Sequence, residues 1–193
     1  MIETFQHNGY TIEIHQDESP ESPREWDNLS QIVCFHNRYN LGDKHDYSSE
    51  NFDGWESMKK QIIRDHNPVA IVPIYLFDHS GLSIATDCSH FQACDSHGWD
   101  WGQIGWAFVP REVALKEYSK KRISAKLREL AMKVLQGEVA TYGQYISGEV
   151  YGYVIKDGNG EEFDSCWGMY GHDYTVAEAK ELLDWQTKQK TED

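Results

Sequence analysis

The run IETFQHNGYTIEIHQ, from Ile2 to Gln16, decides the fold class. Asn8-Gly9 tolerates the positive φ angles of a two-residue hairpin turn, and after it Tyr10, Ile12 and Ile14 alternate with Thr11, Glu13 and His15. This spacing predicts a hairpin with one apolar face. The same design returns near the other end of the chain, where Val150 to Ile155 and Glu162 to Trp167 flank Asp157-Gly158-Asn159-Gly160. Between them, Val69 to Phe77 is apolar and β-branched. Asp78-His79-Ser80-Gly81 then supplies a turn and Leu82 to Thr86 a partner strand. A Gly- and Trp-rich loop leads to another strand, Ile104 to Val109. Gln31 to Phe35 is an apolar run too short for periodicity to separate strand from helix.

Helical spacing appears in three places. Trp55, Met58, Ile62 and Ile63 recur on one face, and Asn67-Pro68 ends that helix. Pro110 suits the first turn of a helix. Ser124 opens a strongly periodic one, with Leu127, Leu130, Ala131, Val134 and Leu135 on one face and helical character through Tyr142, Tyr145 and Ile146 to Gly148. Thr175 reads as the cap of a last helix through Gln186, whose face is Val176, Ala179, Leu182 and Leu183. Strands that arrive as hairpins give a largely antiparallel sheet. The expected class is α+β: a single acidic domain over residues 1–193, its sheet built from hairpins and its helices packed on one side.

A chain of 193 residues buries enough surface for its own core, and 13% aromatic residues argue against wholesale disorder. No apolar run reaches the roughly 20 residues that span a bilayer, and the N-terminal residues lack a basic start followed by an apolar stretch. The expectation is a cytoplasmic protein without membrane contact. Cys34, Cys88, Cys94 and Cys166 then read as free thiols rather than a disulfide framework.

Asp and Glu number 32 against 18 Lys and Arg, a net charge of −14. That balance argues against direct nucleic-acid binding, which needs clustered cations. Basic residues concentrate between Arg111 and Lys133, one basic segment in an acidic chain. The carboxylates crowd two loops, Asp17, Glu18, Glu21, Glu25 and Asp27 in one and Asp157, Glu161, Glu162 and Asp164 in the other, and a helix face with Glu178, Glu181 and Asp184. A displayed acidic surface can occupy a basic groove that evolved for phosphates. An excess of 14 exceeds the magnitude of about 2–8 that solubility asks of a small domain.

Chemistry-bearing residues cluster twice. Cys34, His36, Asp43 and His45 carry zinc-ligand or Cys–His nucleophile chemistry, at a spacing that matches no standard ligand pattern. Cys88, His90, Cys94 and His97 put four borderline ligands in ten residues, a weak zinc candidate. No cofactor is otherwise expected. Trp99, Trp101 and Trp106, with Trp26, Tyr39, Trp167 and Tyr170, are core or a stacking platform for a nucleobase. No phosphate-cradling glycine loop, G-x-S-x-G or H-E-x-x-H occurs, so no strong enzymatic signature is present.

Taken together, W-D-N-L at Trp26, C-F-H-N-R-Y-N-L-G-D at Cys34, Y-L-F-D-H-S-G at Tyr75, W-D-W-G-Q-I-G at Trp99, G-E-V-Y-G-Y-V-I at Gly148 and D-S-C-W-G-M-Y-G at Asp164 are specific. In these motifs the chain resembles an uncharacterised family of bacteriophage and mobile-element proteins, over most of its length beyond residue 8. The family carries no assigned activity, so the resemblance implies a genomic setting. It also singles out Trp26, Asp27, Asn28, His36, Arg38, Tyr39, Asp43, Asp78, His79, Ser80, Trp99, Asp100 and Gln103 as site residues. The chain departs from the family at Trp101, where a small residue is usual, and in the Cys88 to His97 stretch, which weighs against a metal there.

The leading expectation is an accessory inhibitor of a host nucleic-acid-binding defence enzyme, of CRISPR-effector or restriction type, acting through carboxylates that mimic phosphates. The competing one is a pocket of His, Asp and aromatic residues, or a metal-dependent enzyme, that binds or cleaves a small nucleotide signal.

Overall fold

The computed structural model describes residues 1–192. In chain order the elements are strands β1 (Glu3–His7), β2 (Tyr10–Gln16) and β3 (Gln31–Cys34), helix α1 (Trp55–His66), then β4 (Ala70–Asp78) and β5 (Leu82–Ala85). A short α2 (Ser89–Cys94), β6 (Trp101–Val109), α3 (Arg111–Glu117) and α4 (Ala125–Ser147) follow. The chain ends with β7 (Val150–Lys156), β8 (Glu162–Tyr170) and α5 (His172–Glu192). The strands form two four-stranded sheets, β1-β2-β7-β8 and β3-β6-β4-β5, and every pairing is antiparallel. This is the α+β class that the hairpin signals predict. The residues divide into two compact units, one made of 1–22 with the chain from Gln144 on, the other of 23–143. Among the described residues no helix is long and apolar enough to cross a membrane.

In the first unit the Asn8-Gly9 turn adopts the positive φ angles its residues favour, 50° and 82°. Strand β2 pairs with β7 so that Ile12 faces Ile155 and Ile14 faces Tyr153. These four side chains meet Ala179 and Leu183 of α5, forming a small core. Helix α5 begins at His172, three residues before Thr175. Gly171 turns the chain at φ +93°, and the buried Thr175 donates both its amide (3.1 Å) and its hydroxyl (2.9 Å) to the Gly171 carbonyl. Thr175 therefore lies inside the first turn rather than capping it.

In the second unit β6 is central, between β3 and β4. The apolar run at Gln31 is a strand, and its Val33 packs with Trp106 and Phe108 of β6 against Met58 and Ile62 of α1. The Trp106 indole donates to the Trp55 carbonyl at 3.0 Å, tying the start of α1 to that core. Helix α4 opens with the Ser124 hydroxyl accepting the Leu127 amide at 3.2 Å. Leu127, Ala131, Leu135 and Val139 are buried, whereas Leu130, assigned to the same face by its spacing, is 40% exposed. The carboxylate of Glu138 accepts the amides of Leu29 (2.8 Å) and Ser30 (2.9 Å), which fixes the chain just before β3.

Gly105 sets how closely β3 and β6 approach. A Cβ there would stand 2.0 Å from the Val33 carbonyl oxygen, backbone that cannot yield without moving a strand. Gly105→Ala is expected to destabilise this unit by about 3 kcal/mol, the cost of overpacking a closed core. Chemical denaturation followed by tryptophan fluorescence checks it, and an unchanged midpoint contradicts the packing described.

Candidate functional site

Three separate stretches of the second unit converge at one end of its sheet. Beyond Cys34, the amide of Phe35 still bonds to the Ile104 carbonyl (2.8 Å), and the chain then turns about His36. The His36 Nδ1 accepts the amides of Arg38 and Tyr39, both at 3.3 Å, and its ring stacks on Tyr39 with centroids 5.0 Å apart and planes 12° from parallel. The Arg38 guanidinium lies 5.3 Å from the Tyr39 centroid and pairs with the Asp78 carboxylate at the end of β4. The Asp78 amide in turn bonds to the Asp100 carbonyl (2.8 Å), and His79 Nδ1 meets the Asp100 carboxylate at 2.9 Å.

The cluster thus holds the Arg38–Asp78 ion pair and the hydrogen-bonded His79–Asp100 pair beside an imidazole–phenol stack. It is open to solvent, with the Arg38 and His79 side chains 68% and 64% exposed. A carboxylate on Nδ1 orients the His79 ring and leaves Nε2 outward, an arrangement that can bind a polar ligand or move a proton. Ser80 sits in the left-handed region, φ 59°, within the β4–β5 turn. Trp99, next to Asp100, is 86% exposed. Gln103 lies on β6, its amide donating to the Gly105 carbonyl at 3.1 Å.

The other residues implied by the resemblance stand elsewhere. Asp43 is clamped by Arg24, whose Nε and NH2 reach its two carboxylate oxygens at 2.8 and 2.7 Å. The side-chain amide of Asn28 closes its own turn on the Pro23 and Trp26 carbonyls, both at 2.8 Å. Asp27 and Asn28 also line a cavity of about 560 Å³ with Lys116, Glu117 and Glu138. Trp26 is exposed.

Neither Cys/His constellation comes together as a ligand set, and among the described residues no group of three or more His, Cys, Asp or Glu is placed to hold a metal ion. Cys34 is buried, and burial first, with the Asp43 charge second, pushes its thiol up to about 12. A thiol so disfavoured as thiolate is no nucleophile at neutral pH. The Cys88 to His97 stretch, expected as loop, contains α2 and then winds around Asp95. That carboxylate accepts the amides of His97 (3.0 Å), Trp99 (2.5 Å) and Asp100 (2.9 Å), and these bonds, that from Asp100 foremost, hold it below the usual carboxylate range. Asp95 positions Asp100, a role that nothing in the residue spacing announced.

Sequence reasoning also missed Tyr47, Asp65 and His66. The Tyr47 hydroxyl donates to Asp65 (2.9 Å) and meets His66 Nε2 (3.0 Å), beside a cavity of about 420 Å³ that His45 also lines. Burial, then the bond to Asp65, pushes the phenol upward, which keeps it protonated. Only their meeting in space joins residues 18 positions apart on a loop and a helix.

The acidic residues are divided by the fold. Of the −14 net charge, −12 belongs to the first unit, with 16 Asp and Glu against 4 Lys and Arg. The second unit, which carries the basic segment from Arg111 to Lys133, is close to neutral at −2. Glu25 and Asp27 fall in that unit. Asp17, Glu18 and Glu21 follow β2, where the Asp17 amide bonds to the Val150 carbonyl (2.8 Å) and the Tyr170 hydroxyl to the Glu21 carbonyl (2.5 Å). Asp157, Glu161, Glu162 and Asp164 crowd the β7–β8 turn at the opposite end of the same sheet. The two acidic ends are separated by the five residue steps from Gln16 to Thr11, about 17 Å of extended strand. Asp157 accepts the amides of Asn159 (2.8 Å) and Glu161 (3.0 Å), and the Glu161 bond is the larger cause of its lowered pKa.

No family model, curated protein or solved structure matches the chain. The site therefore stands on geometry alone. In native protein the exposed Cys94 is expected to react with a thiol reagent at once, and the buried Cys34 only on unfolding. Mass mapping of labelled peptides checks this, and early modification of Cys34 overturns the burial that denies it a catalytic role.

Proposed function

We propose that the chain is an accessory protein of a phage or mobile element that inhibits a host nucleic-acid-binding defence enzyme, of CRISPR-effector or restriction type, by binding it through an acidic, phosphate-mimicking surface. The observation that carries this reading is the segregation of charge, −12 in the first unit against −2 in the second. Charge that served solubility alone has no reason to gather in one unit. Gathered, it creates a local field that draws in a basic groove and speeds association. The Asp157 carboxylate, held by the amides of Asn159 and Glu161, and the Glu21 backbone, tied to Tyr170, also favour mimicry, because a surface already ordered loses little freedom on binding. The genomic setting comes from the family resemblance, and the host enzyme with its basic groove is the partner this chemistry fits.

A second reading rests on the cluster of His36, Arg38, Tyr39, Asp78, His79 and Asp100, whose convergence from three stretches favours a small nucleotide as ligand. Arg38 would pair with phosphate in exchange for Asp78, and an exposed aromatic such as Trp99 would stack on the base. The His79–Asp100 pair would serve binding or proton transfer.

Plating of phage on host strains that carry restriction or CRISPR systems tests the first reading. Expression of the chain should raise plating on at least one such host, and Glu18→Lys, Glu21→Lys, Glu161→Lys and Glu162→Lys combined should abolish the gain. With the purified target, those reversals should slow association by about tenfold or more at low salt. Retained protection by the reversed protein rejects mimicry through these loops. The second reading is tested by thermal shift against a nucleotide panel. A bound nucleotide at 100-fold its Kd stabilises by about 2.7 kcal/mol, and His36→Ala with His79→Ala should erase that shift while the unliganded Tm holds. Nucleotide stabilisation that survives the double variant places the ligand elsewhere.

A further inference from the structure

The sheet of the first unit packs one face, that of Ile12, Ile14, Tyr153 and Ile155, against Ala179 and Leu183 of α5. On the opposite face lie Thr11, Glu13 and His15 of β2, and beside them Gly152, Val154 and Lys156 of β7 in direct register. Trp167 of β8 packs against this surface at Gly152. A Cβ built on Gly152 would stand 2.4 and 2.5 Å from the Cε3 and Cδ2 atoms of the indole, so the ring rests against the backbone only because residue 152 has no side chain. His15 flanks it, with ring centroids 5.9 Å apart. Trp167 remains 49% exposed.

The surroundings specify what that ring can receive. Glu13 accepts Lys156 at 2.7 Å and sits near His15 at 3.3 Å. The Lys156 bond is the main reason its pKa lies below the usual value, so a fixed carboxylate stands one row along from the indole. The two acidic loops stand at either end of this same sheet, and the unit as a whole is strongly anionic. An exposed indole in a negative field attracts cations over its face. Among protein cations the guanidinium is planar and weakly hydrated, so it stacks at lower desolvation cost than an ammonium. Trp and Arg are also the residues that most often dominate binding at protein interfaces.

We propose that the Trp167 ring, seated on Gly152, is the anchor of the acidic surface and stacks an arginine side chain presented by a basic protein partner. This rests on the reading of the first unit as a partner-binding surface and names the contact at its centre. The carboxylates supply attraction over distance, and the indole selects arginine over lysine at contact.

The full-length protein can be titrated with an octa-arginine peptide, an octa-lysine peptide and an oligothymidylate, with the indole N–H resonance of Trp167 and the fitted Kd as readouts. Octa-arginine should bind about fivefold more tightly than octa-lysine, the gain expected of a partly exposed cation–π contact, and should shift the Trp167 resonance. Trp167→Leu should remove the preference and leave both peptides at the octa-lysine affinity. Trp167→Tyr, which keeps an aromatic ring at this position, should retain part of the preference and guards against a folding defect in the first variant. Equal binding of both peptides with an unmoved Trp167 resonance overturns the anchor and leaves the acidic surface standing. Failure of either peptide to bind at low salt overturns both. A Trp167 shift with the oligothymidylate alone replaces arginine by a stacked base and overturns the proposal.

Discussion

The second unit is organised around one guanidinium. Arg24 is nearly buried, its side chain 6% exposed, and it grips both oxygens of Asp43 while its NH2 also donates to the Ser30 carbonyl at 2.8 Å. Asp43 passes the constraint on, because its Oδ2 also accepts the Ile32 amide at 2.8 Å and its own amide bonds to the Ile32 carbonyl, again at 2.8 Å. The segment from Phe35 to Gly42 is thereby closed into a loop returning to β3, where Val33 bridges Gly42. Gly42 adopts φ +80° at this return, and its amide is taken by the Tyr142 hydroxyl at 2.9 Å. A buried charge pair adds little net stability over an apolar substitute, but it tolerates only one arrangement of its partners. Here that arrangement sets the base of the loop that presents His36, Arg38 and Tyr39.

The polar cluster follows from that restraint and from a second of the same kind. Asp95 gathers the amides of His97, Trp99 and Asp100 around one carboxylate, and the Trp101 indole donates to its carbonyl at 2.9 Å. One acidic residue thus positions the loop bearing Arg38 and another the loop bearing Asp100. Asp78, at the end of β4, is the fixed point between them. Carboxylates used in this way are scaffolding, which explains why Asp43, implied as a site residue by the resemblance, lies apart from the residues it helps to place.

The hairpins and helices were legible because each is encoded within a few residues. Asn8-Gly9 and Asp157-Gly158-Asn159-Gly160 specify turns locally, and the α4 spacing places Leu127, Ala131 and Leu135 on the buried face. The expected sheet becomes two because strand alternation says which face is apolar and nothing about which edges meet. Only long-range pairing puts β6 between β3 and β4. Helix α5 starts at His172, ahead of the cap expected at Thr175, because the left-handed Gly171 supplies the turn. The site was partly legible. His36, Arg38, Tyr39, Asp78, His79 and Asp100 were named from the resemblance, whereas Asp95 and the Tyr47–Asp65–His66 group act through contacts that no spacing encodes.

Charge and chemistry are separated along the chain in a way that composition alone conceals. A total of −14 describes a uniformly acidic protein, yet the second unit, with its basic segment and its polar cluster, is nearly neutral. A nearly neutral unit can bring carboxylates and a guanidinium together without a large background field biasing every ion pair within it. The first unit gains from the opposite condition, since a field that acts over a Debye length needs unbalanced charge on one surface. Concentrating carboxylates also raises their mutual repulsion, which destabilises the unit that holds them. The compensation lies in the sheet itself. Glu13 is paired with Lys156, Asp157 is held by the amides of its own turn, and the apolar face is closed by α5 over Ile12, Ile14, Tyr153 and Ile155. Glu18, Glu21, Glu161 and Glu162 are exposed at the two ends of that sheet, on either side of the indole seated on Gly152.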